Sequence, residues 1–398
     1  MRRLIIVVAA AAIAAACLVN VRAEASTTKV PHGSCVSHSK LHVSCFTERR
    51  SKTVTAKSTF TGYAPADLQS MYGVTPVMLP TDATVGIVDV GRDPNVESEL
   101  ATYRSHFDLP SCTKANGCFT EYVADGSTVP TANSGWVGEI TLDVEAVSAV
   151  CPTCRIALMD ASDASYKAIF AAISTLADQG VQYISMSFGM GEWSGESHYN
   201  ATFTRPGTIF VAASGDDGFD DGSDACNGVV GVCYPAAAPG VIAVGGIHAT
   251  KSGSMWKYSA WAGSGSGCAH FSKAKTAQKA MTLDACHGGE AQADVSALAD
   301  PNTGFAAYDA LDGWYVVGGT SLASPIVASL YAIAGNNIDA YSFTRNALDD
   351  SLLADVTSGS TTGCDGTVLC TAGKGWDGAT GIGTPVSPEF FADRKGGA

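Results

Sequence analysis

Gly318-Gly319-Thr320-Ser321-Leu322-Ala323-Ser324-Pro325 is the stretch from which the rest of the chain is read. Two glycines permit a tight turn and a close approach of backbone to a ligand. The apolar run that follows, to about Gly335, reads as a buried helix, so Ser321 falls at its start. Unpaired amide N–H groups and the helix dipole favour developing negative charge there. The pattern names a nucleophile, and a serine hydroxyl, which barely ionises in water, needs a base.

None of the eight histidines (His32, His38, His42, His106, His198, His248, His270 and His287) stands upstream of Ser321 in a His-Gly-Thr-His-like helix start. Carboxylates are the better candidates. From Trp136 to about Val150 an apolar-periodic stretch predicts a helix, with Glu139 and Asp143 one turn apart on one face. Such a pair is ordinarily a solvated acidic face. Here Ile140, Leu142, Val144 and Val147 surround it with apolar residues, which predicts burial. A third carboxylate, Asp216, follows the buried-looking run Phe210-Val211-Ala212-Ala213 in a Gly-Asp turn. Asp is a common turn former. Strand ends in open parallel sheets are nevertheless where ligand chemistry gathers.

In order and local context, Glu139, Asp143, Asp216 and Ser321 resemble the site of the sedolisin family, the serine-carboxyl peptidases, and the resemblance runs over residues 61–398. Tyr63-Ala64-Pro65-Ala66-Asp67-Leu68, Ser185-Met186-Ser187-Phe188-Gly189 beside the substrate, and Tyr234-Pro235-Ala236-Ala237 before Val241-Ile242-Ala243-Val244-Gly245-Gly246 fit it as well. The resemblance implies a single catalytic domain of subtilisin-like fold, a three-layer α/β/α arrangement on a mainly parallel sheet. It implies that Ser321 attacks the scissile carbonyl of a polypeptide substrate, that Glu139 takes and returns the proton, that Asp143 orients Glu139, and that Asp216 lines the oxyanion hole.

The chemistry can be argued separately. Glu139 serves as a base only when ionised, and Asp216 stabilises an oxyanion only when it carries a proton. With reference values near about 4, both demands are met in acid, or where burial and repulsion split the titrations. An acidic optimum is expected, fading as Asp216 ionises.

Asp355-Val356, Gly373-Lys374-Gly375-Trp376-Asp377 and Gly381-Ile382-Gly383-Thr384-Pro385 offer two carboxylates and glycine-loop carbonyls, an oxygen-only set suited to Ca²⁺. Standing alone it would be a turn cluster. Beside the other motifs it is similar to the family's calcium loop, with Asp355, Asp377 and the carbonyls of Val356, Gly373 and Gly375 around one structural ion.

Met1-Arg2-Arg3 and the apolar run from Leu4 to about Val19, ending at Val21-Arg22-Ala23, predict a signal peptide cleaved after Ala23 and a secreted protein. A lipid anchor on Cys17 is the alternative. Removing Cys17 leaves twelve of the thirteen cysteines. The simplest pairing joins neighbours: Cys35 with Cys45, Cys112 with Cys118, Cys151 with Cys154, Cys226 with Cys233, Cys268 with Cys286, and Cys364 with Cys370.

Over 398 residues, 46% hydrophobic and only 16% charged, one large domain accounts for the chain. The net charge of −14 becomes −17 once Arg2, Arg3 and Arg22 leave with the signal, a surface that repels nucleic acid and anionic membranes. A monomer is expected. Residues 24–60, rich in Ser, Thr and Lys, read as a short extended or partly disordered segment pinned by Cys35 and Cys45. Family members carry a large prodomain at this place; the short segment raises unaided folding, a prodomain supplied in trans, or a domain that no longer cuts.

Strands are expected over Thr84–Val90, Arg155–Met159, Val181–Ser187, Thr208–Ala213 and Val241–Val244, with helices over Glu97–Phe107 and Asp163–Ala177. Asp89, on the first of these strands, reads as a structural strand-end residue or part of the substrate cleft. Two other functions stay open: an exported, calcium-stabilised binding protein on an inactive fold, and a subtilisin-like serine peptidase.

Overall fold

The chain is described by a computed structural model for residues 35, 37, 39, 41–49, 62–80, 82–124, 128–219, 226, 232–274, 276–336, 339–347, 349–364 and 366–393. The expected signal peptide, Cys17 included, lies outside the described residues. Among those described, no helix is long and apolar enough to cross a membrane.

Two short strands come first, β1 (Ser44–Cys45) and β2 (Glu48–Arg49), with Phe46 and Thr47 between them. The central sheet is built from β3 (Thr84–Val90), β4 (Phe119–Val123), β5 (Arg155–Ala161), β6 (Tyr183–Met186), β8 (Ile209–Ala213), β10 (Val241–Ser252) and β11 (Met255–Ala260), in the order β11-β10-β8-β6-β3-β5-β4, with β14 (Val295–Leu298) also on β10. All its pairings are parallel except the β10–β11 hairpin.

Side chains alternate across the pleat, so a parallel strand covered on both sides feeds two cores. On β3, Val85 and Ile87 enter one core with Ile140, Val147, Leu322 and Ile326. Val88 and Val90 enter the other, with Met159, Ile169, Ile173 and Leu176. Helices α3 (Ser134–Val150) and α6 (Thr320–Ala334) therefore cover one face and α4 (Tyr166–Asp178) covers the opposite one, while α1 (Pro65–Met71) and α2 (Val96–His106) pack beside α3. This is the expected subtilisin-like α/β/α arrangement in a single domain. A sixth helix, α5 (Thr276–Met281), is short.

Strand β3 matches its expected span, and β10 runs on eight residues beyond Val244 because it leaves the parallel sheet to form the β10–β11 hairpin. Every residue of α3 from Trp136 to Val150 is buried, as the apolar flanks of Glu139 and Asp143 predicted. Asn133 caps the helix by accepting from the amides of Gly135 and Trp136. All six expected cysteine pairs are joined.

Smaller pairings frame one end of the sheet: β7 (Phe188–Gly191) with β9 (Cys233–Tyr234), β12 (Gly267–Lys273) with β13 (Gly289–Gln292), and β15 (Phe305–Asp309) with β16 (Gly313–Gly318).

Candidate active site

The turn from β16 into α6 requires its glycine. Gly319 has φ +96°, and a Cβ there would overlap the carbonyl oxygen of Phe46 and come within 2.7 Å of Asp216 Oδ2. Ser321 follows in the first turn of α6, fully buried. Its hydroxyl donates to Ser187 O at 2.9 Å and accepts the Phe46 amide at 3.1 Å.

Glu139 and Asp143 project from α3 on the face turned toward α6, both at zero exposure. Burial pushes the Glu139 carboxyl up to about 8, opposed by the hydroxyls of Ser321 and Thr47, which favour its ionised form. Thr47 Oγ1 donates to Glu139 Oε2, while Oε1 has no hydrogen-bond partner. The Ser321 hydroxyl thus faces Glu139 closely enough to influence it, although its best-directed bond goes to Ser187.

Asp143 is held well above the ordinary carboxyl range by burial and then by the charge of Glu139. Its hydrogen-bond partner is Ser187, whose Oγ lies 2.9 Å from Asp143 Oδ1 and 3.1 Å from Ser321 O. One hydroxyl proton cannot serve two acceptors. A protonated Asp143 completes the chain, donating to Ser187, which donates to the Ser321 carbonyl.

Asp216, past the end of β8, accepts the amide and hydroxyl of Thr320 on Oδ1, each at 2.8 Å. Its Oδ2 is buried without a partner on the side of Gly319 where the Phe46 carbonyl sits. Burial, and then the charge of Glu48, raise this carboxyl well above the usual range. In its neutral form Asp216 has an O–H to donate on that side of the turn.

The four expected residues, Ser321 included, meet at one place, joined by three further groups to which the sequence reading gave no catalytic role. Asp89, expected as a structural strand-end residue or part of the substrate cleft, is fully buried beside Glu139 and Asp143; neither carboxylate oxygen has a hydrogen-bond partner, and its proton is favoured by burial and by Asp143, Glu139 and Asp160. Its place on a strand aligned with α3 was the available signal. Ser187 was noted only as part of a flanking motif. The third group is the Phe46–Thr47 peptide itself, because β1 pairs antiparallel with β7 and β2 antiparallel with β16, laying this link across Ser321.

The five expected calcium donors lie elsewhere in one loop system. Asp377 is buried, with Oδ1 taking the amide and hydroxyl of Thr380 and Oδ2 the Gly373 amide, while Asp355 Oδ2 takes the Gly375 amide. Burial and, against those bonds, the charge of Asp355 lift Asp377 to about 6. Two carboxyls that repel one another beside glycine-loop carbonyls fit a hard divalent cation. Among the described residues no group of three or more acids, histidines or cysteines is placed to hold a metal ion, so such an ion would rely on carbonyls and water for its other ligands.

Comparison with known proteins agrees with this architecture. Kumamolisin from Bacillus sp. (strain MN-32) is 28% identical over 357 residues, 82% of this chain and 62% of that protein. Sedolisin from Pseudomonas sp. (strain 101) is 26% identical over 382 residues, 85% of this chain and 62% of that protein. The chain therefore spans less than two thirds of the length of these relatives. Its fold is similar to Pseudomonas sedolisin, a serine-carboxyl proteinase solved with two molecules of pseudo-iodotyrostatin, at a TM-score of 0.69 and 24% identity over 83% of this chain and 96% of that one. A chain of the subtilase cytotoxin SubAB assembly is similar at a TM-score of 0.52 and 15% identity, over 81% and 94%. The resemblance to the sedolisin family is borne out. The pattern of the subtilase family (peptidase S8) matches residues 126–375, more than half of the sequence, and the chain belongs to that family.

Proposed function

We propose that this chain is a sedolisin-like serine-type endopeptidase, exported and acting on polypeptides in acid through an acyl-enzyme. The observation that carries the reading is the convergence of Ser321, Glu139 and Asp216 on a single peptide bond, with Ser321 hydrogen-bonded to no histidine among the described residues.

In this reading Ser321 Oγ attacks the carbonyl carbon and Glu139 takes the hydroxyl proton. The oxyanion forms against the protonated Asp216 at the N-terminus of α6, where the helix dipole adds to its stabilisation. Glu139 returns the proton to the leaving amine, then activates the water that frees the acyl group. Asp143 and Asp89 stay neutral and keep the negative charge on Glu139, since three adjacent buried carboxyls cannot all ionise. With substrate over it, Glu139 is desolvated and held up. Water entering an open cleft removes that cause and returns it toward the ordinary range. Asp216 keeps its neighbour Glu48, which holds the proton on it. Glu139 must therefore lose its proton in the open cleft, before substrate covers it, while Asp216 keeps its own.

Calcium enters the proposal as a structural ion held by Asp355, Asp377 and the carbonyls of Val356, Gly373 and Gly375, fixing that loop and taking no part in the reaction.

The test is hydrolysis of a denatured polypeptide from strong acid to neutrality by the purified chain and by Ser321→Ala. Cleavage abolished by the substitution supports the enzyme. No cleavage by either protein, even with a sedolisin prodomain added in trans, favours a binding protein on an inactive fold.

A further inference from the structure

Resting on the reading of this chain as a peptidase with β7 as one wall of its cleft, we infer that Glu192 and Glu196 are positioning residues: a clasp, closed by one shared proton, that fastens β7 to β12 and loosens as the proton is given up.

Glu192 comes immediately after β7, the strand whose Phe188 and Gly189 pair with β1 and whose Met190 and Gly191 pair with β9. Its carboxyl takes three successive amides of β12, His270 on Oε2 at 2.8 Å and Phe271 and Ser272 on Oε1 at 3.2 and 3.3 Å. Three backbone donors make Glu192 the acceptor of the pair. Glu196 opens the 3-10 turn Glu196–Phe203 and is fully buried. Its Oε1 accepts the Ser272 hydroxyl at 2.6 Å and its Oε2 the Trp193 amide at 3.0 Å. Ser272 thus bonds to both acids, and the two carboxyls lie within hydrogen-bonding reach of one another.

Two carboxylates that close repel, whereas a carboxyl and a carboxylate join through a strong hydrogen bond. Burial and then the charge of Glu192 raise Glu196 to about 8, against the Ser272 hydroxyl and the Trp193 amide. The surrounding elements bring no opposing charge onto it. Tyr234 of β9 donates its hydroxyl to the Glu196 carbonyl at 3.4 Å, His270 and Lys273 of β12 are exposed, and at the start of α4 Lys167 lies over the Tyr166 ring, which packs on Tyr199. A proton, not a cation, therefore joins the two acids.

The clasp acts on the site through β7. That strand has four residues, and the one before it, Ser187, bonds to Asp143 and to the Ser321 carbonyl. Fastening its far end to β12 fixes the wall that holds an extended polypeptide. Opening exposes Glu196 to water, where a glutamate titrates near about 4. The closed form is therefore fully favoured below about pH 4, and opening becomes about tenfold easier with each pH unit up to about pH 8, where it levels off.

Amide exchange in the Ser321→Ala chain, corrected for the intrinsic rate, tests this without reference to activity. Protection of the His270, Phe271 and Ser272 amides should fall about tenfold per pH unit from about pH 5 to about pH 8, and should stay below that of residues 147–150 in α3 throughout. Adding Glu196→Gln should flatten the fall, because its amide nitrogen donates to Glu192 at every pH while its oxygen keeps the Trp193 amide. Ser272→Ala removes a hydroxyl that favours ionised Glu196, so the levelling should come at higher pH. In hydrolysis of added peptides by chains that keep Ser321, KM should climb toward neutrality less steeply in Glu196→Gln than in the parent. Protection independent of pH, a fall that Glu196→Gln leaves in place, equal protection in β12 and α3, or identical KM profiles would each overturn the inference and leave the peptidase reading standing. If the chain hydrolyses nothing, the peptidase reading falls and the role in positioning a cleft wall falls with it, while exchange still reports whether the two acids share a proton.

Discussion

Pro325 stands four residues after Ser321 in α6 and has no amide hydrogen to give back to the Ser321 carbonyl. That carbonyl instead takes a hydrogen bond from Ser187 Oγ at 3.1 Å, and the same oxygen of Ser187 lies 2.9 Å from Asp143. The gap in the helix ladder thus connects the nucleophile's backbone to the acid beneath Glu139.

Removing Ser187 breaks that connection. Ser187→Ala leaves the Ser321 carbonyl and Asp143 without their buried partner, and a loss of about 1–3 kcal/mol of stability is expected. If the chain of bonds also sets the proton on Asp143, the pH profile of kcat moves as well, which a purely structural contact would not cause. Urea unfolding and the pH dependence of kcat together check this.

Asp216 is held neutral by burial and by Glu48, with Asp217 adding in the same sense and the Thr320 amide and hydroxyl acting against them. Glu48→Gln removes a charge that favours the proton. Asp216 should then ionise at lower pH, and the alkaline limb of activity should move toward acid. An unmoved limb would mean that Asp216 does not govern it.

Burial lifts Glu99, Glu139, Asp160 and Glu196 each to about 8 and Asp294 to about 7. A carboxyl raised in the folded state contributes stability that is whole below its unfolded value and is lost as pH climbs through the folded one. Glu121 acts oppositely: burial resists, but hydrogen bonds from Arg92 and Lys114 bring it down to about 2, so its contribution is lost in strong acid. The melting temperature should therefore peak near about pH 4 to 5 and decline steadily toward about pH 8. A peak above neutrality in calorimetric scans would contradict the balance of buried acids.

Calcium should raise the melting temperature by a few degrees at concentrations well above its Kd, and a chelator should reverse the gain. Asp355→Asn, which keeps an acceptor for the Gly375 amide but removes charge, should abolish the response with little change in the metal-free melting temperature.

The sequence disclosed what is local. The glycine turn before Ser321, the helical spacing of Glu139 and Asp143, and the strand-end position of Asp216 follow from dihedral preference and periodicity, and they carried the fold as well. What stayed hidden depends on packing between distant segments. Phe46 touches Ser321 across 275 residues of sequence, and nothing within the polar stretch around it signals edge pairing to β7 and β16. Asp89 was undervalued for the same reason: a strand-end acid gains its meaning from the two carboxyls that α3 brings against it.

The central claim is that a glutamate rather than an imidazole moves the proton, and kcat/KM of Glu139→Gln against the parent chain, measured from about pH 3 to pH 9, tests it most directly. The substitution keeps the side chain's shape and its acceptor for Thr47 while removing the base, so a fall of about 10²–10⁴-fold at every pH is expected, with folding unchanged. Neutral or alkaline hydrolysis persisting at the parental rate in Glu139→Gln would contradict it.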